Sequence, residues 1–331
     1  MNSILRAEGI SKTFSDSGGL PFGKPKQEVR AVDSIDLDIK RGETLALVGE
    51  SGCGKSTLGR LLLRLIQPSG GKVWYDGTDI TALSSEQMRN MRRKLQMVFQ
   101  DPYGSLSPRR SIAQIIAEPL DAFGITRSAK EKRDRVADLL TQVGLTPAFM
   151  DRYPRQFSGG QRQRIGIARA ISVEPDFIVA DEPVSALDVS VQAQIINLMQ
   201  DLQQQKGFSF LFIAHDLAVV RHIADRVAVM YLGRIVEIGS KKLVYDLPQH
   251  PYTQALLSAA PEPDPDLKSR RIILEGDVPS PTNMPSGCAF RTRCPLAKDI
   301  CSVERPPLRE VRPAQWAACH FAKPNPIPLK A

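Results

Sequence analysis

Nine residues constrain this chain more than any others. Gly49-Glu50-Ser51-Gly52-Cys53-Gly54-Lys55-Ser56-Thr57 fits the pattern G-x-x-x-x-G-K-[ST], whose glycines let backbone N–H groups curl around phosphate oxygens. Its flanks have the right form. Thr44-Leu45-Ala46-Leu47-Val48 is a short apolar run that predicts a buried parallel strand. Leu58, Leu61, Leu62 and Leu65 recur at helical spacing and predict a helix over Ser56–Ile66. A helix that starts at such a loop adds the positive end of its dipole to the amide groups. Lys55 is then placed to reach the β- and γ-phosphates, and Ser56 to offer its hydroxyl to Mg²⁺. A glycine-rich turn without a ligand is the bland alternative. The downstream motifs weigh against it.

With 331 residues the chain can hold one large domain and a smaller one. At 42% hydrophobic and 24% charged it has the balance of an ordinary soluble protein. No apolar stretch nears the ~18 residues of a membrane-spanning helix, and Met1 to Ile10 lacks the apolar core of a signal peptide. A cytoplasmic location is expected. The net charge of +8 includes basic clusters at Arg92-Arg93-Lys94, Arg109-Arg110 and Lys130–Arg135. Acidic residues intersperse them and no nucleic-acid-binding signature accompanies them, so a solvated face is the reading and no nucleic-acid partner is expected.

Residues 1–100 read as strand-rich around the phosphate loop. Ser15 to Arg30 reads as an exposed loop, being rich in Gly, Pro and Lys. From Asp101 to about Gln156 strand signals vanish, and helical patterns at Ile112–Ala117 and Lys130–Val143 predict a helical insertion. Strands are predicted at Phe177–Ala180, Phe208–Ile213, Val227–Met230 and Ile235–Ile238, with Gly233 turning the last pair. Composition breaks at Pro261, from which onward lie 13 of the 25 prolines and four of the five cysteines. This predicts a division into 1–260 and 261–331, with a linker from Pro261 to Asp266, a small module from about Arg270 and a mobile tail over Lys323–Ala331.

Phe177-Ile178-Val179-Ala180-Asp181-Glu182 is a buried strand that ends in two acids. Behind a phosphate loop, Asp181 suits a Mg²⁺ ligand and Glu182 the general base that polarises attacking water. With these residues in place the chain resembles the ATP-binding-cassette (ABC) family. Phe157-Ser158-Gly159-Gly160-Gln161 is similar to the family signature, with Phe157 where Leu is usual. Gln100 matches the Q-loop glutamine, Ser185-Ala186-Leu187-Asp188 the D-loop and His215 the switch histidine. The motifs follow the family order from Ile4 to about Gly239.

The resemblance implies an α/β fold: a RecA-like core, an N-terminal antiparallel β subdomain and a helical insertion at about 101–160. It implies ATP and Mg²⁺, the cation being held by Ser56, Gln100 and Asp181. Glu182, His215, Lys55 and Gln100 carry the hydrolytic roles, and Phe14 stacks on adenine unless it is a core residue. The signature Ser158, Gly159, Gly160 and Gln161 faces the γ-phosphate held by a second subunit, and Asp188 lines the dimer seam. Cys53, at a helix start where a thiol pKa can fall, reads as a small space-filler with oxidation sensitivity as the sharper alternative.

Gln100-Asp101-Pro102-Tyr103-Gly104-Ser105-Leu106-Ser107-Pro108-Arg109 and His250-Pro251-Tyr252-Thr253-Gln254-Ala255-Leu256-Leu257 look like segments of dipeptide and oligopeptide importers. That branch implies a peripheral ATPase (a translocase subunit) on the cytoplasmic face of the bacterial inner membrane. Its partners are a second, paralogous cassette, two transmembrane permease subunits and, indirectly, an extracytoplasmic solute-binding protein. Nickel and glutathione importers belong to the same branch. A soluble non-transport ABC ATPase and a phosphate-loop kinase are the readings from other classes. Cys288, Cys294, Cys301 and Cys319 sit in a segment too small to build a good core unaided. Spacing alone leaves open an iron–sulfur cluster, zinc, a disulfide or plain thiols. Resemblance to the importers' C-terminal modules implies a [4Fe–4S] cluster.

Overall fold

The computed structural model describes residues 3–15, 28–101, 103–259 and 272–324. The expected linker at Pro261–Asp266, most of the Ser15–Arg30 loop and most of the tail lie outside the described residues. The chain opens with β1 (Ser3–Ser15), β2 (Glu28–Lys40), β3 (Thr44–Val48), α1 (Lys55–Leu62), β4 (Gly70–Tyr75) and β5 (Thr78–Asp79). α2 (Ser85–Met91) and β6 (Leu95–Val98) follow, then the helices α3 (Ile112–Ala122), α4 (Ala129–Gln142) and α5 (Gly159–Ile171). Next come β7 (Phe177–Asp181), α6 (Val189–Lys206), β8 (Ser209–Ala214), α7 (Leu217–Ile223), β9 (Arg226–Tyr231) and β10 (Arg234–Ser240). α8 (Lys241–Asp246), α9 (Pro251–Ser258), α10 (Ile300–Val303), β11 (Arg309–Arg312) and β12 (Gln315–Ala317) complete it.

Contacts divide the chain into two interleaved compact units. One draws on Met1–Leu5, Asp38–Thr44 and Trp74–Ala214, the other on Arg6–Leu37, Leu45–Val73 and His215–Ala331. Near the N-terminus a four-stranded sheet runs β2-β1-β4-β5. In the first unit β6, β7 and β8 are parallel neighbours, with Ala180 opposite Val98 on one side and Phe212 on the other. β7 and β8 are buried along their whole length, as parallel strands covered on both faces must be. In the second unit the order is β11-β12-β10-β9-β3. Here β9 runs parallel to β3, β10 folds back antiparallel, and β12 adds to β10 with Trp316 opposite Ile238. The C-terminal residues thus extend the same sheet that carries the phosphate loop.

Two predicted helices differ from those observed. α1 stops at Leu62, four residues short of the Ile66 expected. Arg64 takes a left-handed φ of 48°, and the N–H of Leu65 returns to the carbonyl of Arg60 at 2.8 Å, which closes the helix although apolar spacing continues to Leu65. α3 runs past Ala117 to Ala122 because Pro119 is tolerated inside it. The usual bias against helix before proline is overridden by burial of Ile115, Ile116 and Leu120. Over the insertion the basic clusters are locally paired: Arg110 with Glu118, Lys132 with Asp121, Arg133 with Asp151 and Arg135 with Glu174. That is the solvated face expected.

A buried polar corner locks the second unit. Glu237 of β10 is fully buried and accepts from the N–H groups of Gln249 (2.9 Å) and His250 (2.8 Å) and from Nε2 of Gln315 (2.7 Å). It thereby joins β10, the start of α9 and β12. His250 caps α9, its Nδ1 accepting from the N–H of Tyr252 at 3.1 Å. Burial holds His250 neutral, its pKa lowered from 6.5 to about 3.

Between those two values the unfolded chain binds a proton that the folded chain refuses. The stability tied to neutral His250 is therefore complete above pH 6.5 and is lost as pH falls toward 3. Burial raises the Glu237 pKa, which acts in the opposite sense, so the informative quantity is a difference between variants. Unfolding free energy measured in urea between pH 5.5 and 7 is expected to rise with pH more steeply in the wild type than in His250→Asn. The excess slope should approach roughly 1 kcal/mol per pH unit. Parallel pH profiles would refute the assignment.

Candidate functional site

The phosphate loop is shaped by backbone against backbone. A Cβ on Gly49 would stand 2.2 Å from the carbonyl oxygen of Met230, and one on Gly54 would stand 2.1 Å from that of Ala31. Gly54 also has φ 107°, a conformation L side chains rarely adopt. Neither position can carry a side chain without displacing a strand. The loop is tied at further points: the N–H of Gly233, in the β9–β10 turn, donates to the carbonyl of Cys53 at 2.8 Å. The N–H of Glu50 donates to the hydroxyl of Tyr252 at 2.8 Å.

Lys55 opens α1 and is buried, its Nζ donating to the carbonyls of Gly49 (2.7 Å) and Glu50 (3.1 Å). Gly54 caps the helix without a side chain, as a loop that must admit phosphate to the helix end requires. Cys53 is buried as well. Burial pushes its thiol up and nearby Lys55 only partly offsets this. The expected lowering at a helix start loses to desolvation, so the oxidation-sensitive reading is set aside in favour of the space-filler. Phe14 is 45% exposed near the end of β1, with Lys12 Nζ 5.1 Å from its ring centre. It is not a core residue. His215 follows β8 directly and is likewise exposed.

In the first unit the two acids separate as strand alternation demands. Asp181 is buried at the end of β7. Glu182 turns out of the strand with φ 43°, a left-handed backbone that persists in a non-glycine residue only where surroundings over-determine it. Its N–H donates to the carbonyl of Ile213 at 3.0 Å, and its carbonyl accepts from the Ser185 hydroxyl at 3.1 Å. Nε2 of Gln100 donates to Oε2 of Glu182 at 3.0 Å. The expected Q-loop glutamine and general base are therefore in direct contact.

The signature opens α5. Ser158 is its N-cap in a reciprocal box with Gln161: Oγ accepts from the Gln161 N–H at 3.3 Å and Oε1 of Gln161 accepts from the Ser158 N–H at 3.1 Å. A Cβ on Gly160 would meet Cγ1 of Val191 at 2.4 Å, and one on Gly159 would meet Leu187 at 3.2 Å. The two glycines let the α5 end lie against the D-loop and the start of α6. Asp188 is exposed there and caps α6 without a side-chain bond. Phe157 fills the usual Leu position as a buried ring, packed edge-on to Phe149 at 5.2 Å.

The four C-terminal cysteines were expected to hold a cluster. Among the described residues no group of three or more His, Cys, Asp or Glu is arranged to hold a metal ion. The thiols are near enough to influence one another. Burial raises Cys294 to about 12, and Cys319, Cys288 and Cys301 add to the rise; burial also raises Cys288 and Cys319. The arrangement of the described residues gives the expected [4Fe–4S] cluster no support.

Residues 32–185 match the ABC transporter family, and residues 236–301 match the oligopeptide/dipeptide transporter C-terminal region. The oligopeptide transport ATP-binding protein AppF of Bacillus subtilis is 51% identical over 322 residues, 96% of this chain and 97% of that one. The chain belongs to the ABC transporter family. A protein of Brucella ovis, named provisionally for ATP binding in peptide import, is 58% identical over 316 residues, 96% of this chain and 97% of its own. Among solved structures, the dimeric ABC cassette MJ0796 bound to ADP and Pi superposes with a TM-score of 0.64 at 28% identity, over 72% of this chain and 98% of that one. CbiO1 of Clostridium perfringens gives 0.63 at 29%, over 75% and 92%. The fold is therefore that of an ABC ATPase, and ATP with Mg²⁺ is the chemistry of this family. Among the described residues no helix is long and apolar enough to cross a membrane.

Sequence reading missed three contributors to the ABC site. Met230 and Ala31 act through backbone carbonyls, which carry no sequence signal. Tyr252, about 200 residues from the loop it holds, lies inside an importer-like segment but gives no hint of its partner. Gly54→Ala is expected to lower stability by about 2 kcal/mol or more, through strain and displacement of β2. It should also abolish the thermal shift produced by Mg-ATP. Wild-type melting with a retained shift would contradict this account of the loop.

Proposed function

We propose that this chain is the ATP-binding and ATP-hydrolysing subunit that powers import of di- or oligopeptides through a bacterial ABC transporter. The match of residues 236–301 to the oligopeptide/dipeptide transporter C-terminal region carries the reading, together with relatives whose names refer to peptide import. The chain works at the cytoplasmic face of the inner membrane. It pairs with a second, paralogous cassette and two permease subunits, fed by an extracytoplasmic solute-binding protein. The cassette comprises residues 1–260, with its helical subdomain at about 101–160, and the C-terminal module comprises 261–331.

The amides of Gly49–Thr57 and Lys55 hold the phosphates, and Phe14 offers its exposed ring to adenine. Ser56, Gln100 and Asp181 are the hard-oxygen donors that suit Mg²⁺, which when bound would neutralise phosphate charge. Glu182 takes the proton from attacking water, and its contact with Gln100 sets the orientation of that carboxylate. His215 contacts the γ-phosphate. Ser158, Gly159, Gly160 and Gln161 supply an anion-binding helix start to nucleotide held by the partner cassette, and Asp188 lines the seam. Closure of the pair drives the permeases, and hydrolysis releases them. Catalysis is positioning and charge stabilisation. No step runs through the four cysteines, and iron and sulfide analysis of purified protein decides the [4Fe–4S] reading.

Glu182→Gln is expected to keep ATP affinity and to lose two or more orders of magnitude in turnover, as expected when a general base is removed. Lys55→Ala should instead weaken binding, seen as a lost Mg-ATP thermal shift. In proteoliposomes containing both permeases and the second cassette, ATPase activity should rise when peptide-loaded binding protein is added. Full-rate hydrolysis by a strict monomer lacking Ser158 and Gly160 would overturn the reading.

A further inference from the structure

One side chain from the cysteine-bearing segment grips the phosphate loop. Arg293 donates from Nη1 to Oε2 of Glu50 at 2.9 Å and from Nη2 to Oε1 at 3.0 Å, and its side chain is only 9% exposed. Glu50 is the second residue of the loop. Its N–H is held by Tyr252 and its carbonyl accepts from Lys55 Nζ. Backbone and side chain of Glu50 are thus both fixed, and the lysine that meets phosphate rests on the same residue.

Arg293 is itself set by a short turn bracketed by Cys288 and Cys294. The N–H of Arg291 donates to the carbonyl of Cys288 at 3.1 Å, and the N–H of Arg293 to that of Phe290 at 3.0 Å. Phe290, fully buried, anchors the turn edge-on to Tyr231 at 5.3 Å and tilted against Tyr252 and His250 at 5.5 Å each. Two consequences follow. A carboxylate inside an anion-binding loop repels phosphate unless it is neutralised, and Arg293 neutralises it. The planar fork also fixes carboxylate orientation in a way a point charge cannot.

We propose that Arg293 is a positioning residue for ATP binding: by clamping Glu50 it holds the Gly49–Lys55 backbone in its phosphate-receiving form, so nucleotide affinity depends on the cysteine-bracketed turn. The proposal rests on the reading of residues 49–57 as the ATP site. Two measurements on the full chain separate the claims: titration with a fluorescent ATP analogue in Mg²⁺, and hydrogen exchange of the 49–55 amides without nucleotide.

Arg293→Ala is expected to weaken analogue binding by about tenfold and to speed amide exchange. ATPase in the reconstituted transporter should show a raised KM with kcat held within about twofold, the pattern of lost ground-state binding. Arg293→Lys keeps the charge without the fork, should fall between the two, and serves if the alanine variant does not fold. Unchanged affinity and exchange overturn the proposal. So does weaker binding with unchanged exchange, which would leave charge compensation alone, or faster exchange with unchanged affinity. Absence of analogue binding in the wild type would defeat the functional reading, and the exchange comparison would still judge the clamp.

Discussion

The close approach of the loop glycines to two carbonyl oxygens, those of Met230 and Ala31, is the constraint on which the second unit is built. Backbone packed directly on backbone leaves no rotamer to adjust, so the loop has one shape and the neighbouring strands determine it. Lys55, the cap of α1 and the tie from Gly233 all follow from that placement. Anion binding by amide groups depends on such fixity, because dipoles already oriented need not reorganise when phosphate arrives.

In the first unit the organising element is the exit from β7. Asp181 ends the strand in the interior, and Glu182 leaves it through an unfavourable backbone angle held by Ile213, Ser185 and Gln100. One residue thus separates a buried acid from a presented one. The same unit packs the α5 start against the D-loop through glycines 159 and 160, so the signature and the segment after the acids form one continuous surface.

Much of this was legible in the residues. The buried strands at 44–48, 177–181 and 209–214 read out because parallel strands covered on both faces are uniformly apolar. The motif acids, glutamine and signature could be singled out because the chemistry expected of them demands fixed residue types. Local closure was less visible: Arg64 ends α1 by a backbone angle while Leu65 keeps the helical spacing, and burial carries α3 through Pro119. Cys53 reads as a space-filler with an oxidation-sensitive alternative, and burial settles the balance of dipole and desolvation for the space-filler. The thiols of 288, 294, 301 and 319 leave several readings open by spacing, and the cluster implied by resemblance gains no support from their arrangement. Partners far apart in sequence, Glu50 with Arg293 and Glu237 with Gln315, left no trace in any window of the chain.

The interleaving of the second unit bears on how the protein is made. β3, complete by residue 48, finds its parallel neighbour β9 only at residue 226, and the corner at Glu237 waits for Gln315. A nascent polypeptide emerging from the ribosome can assemble the three-stranded run β6-β7-β8 well before these later residues exist. The nucleotide loop meanwhile remains without the carbonyl of Met230 and the clamp from the cysteine turn. Long-range pairing of this kind is slow and follows synthesis. A product that stops before residue 315 would carry an intact motif on an unfinished support.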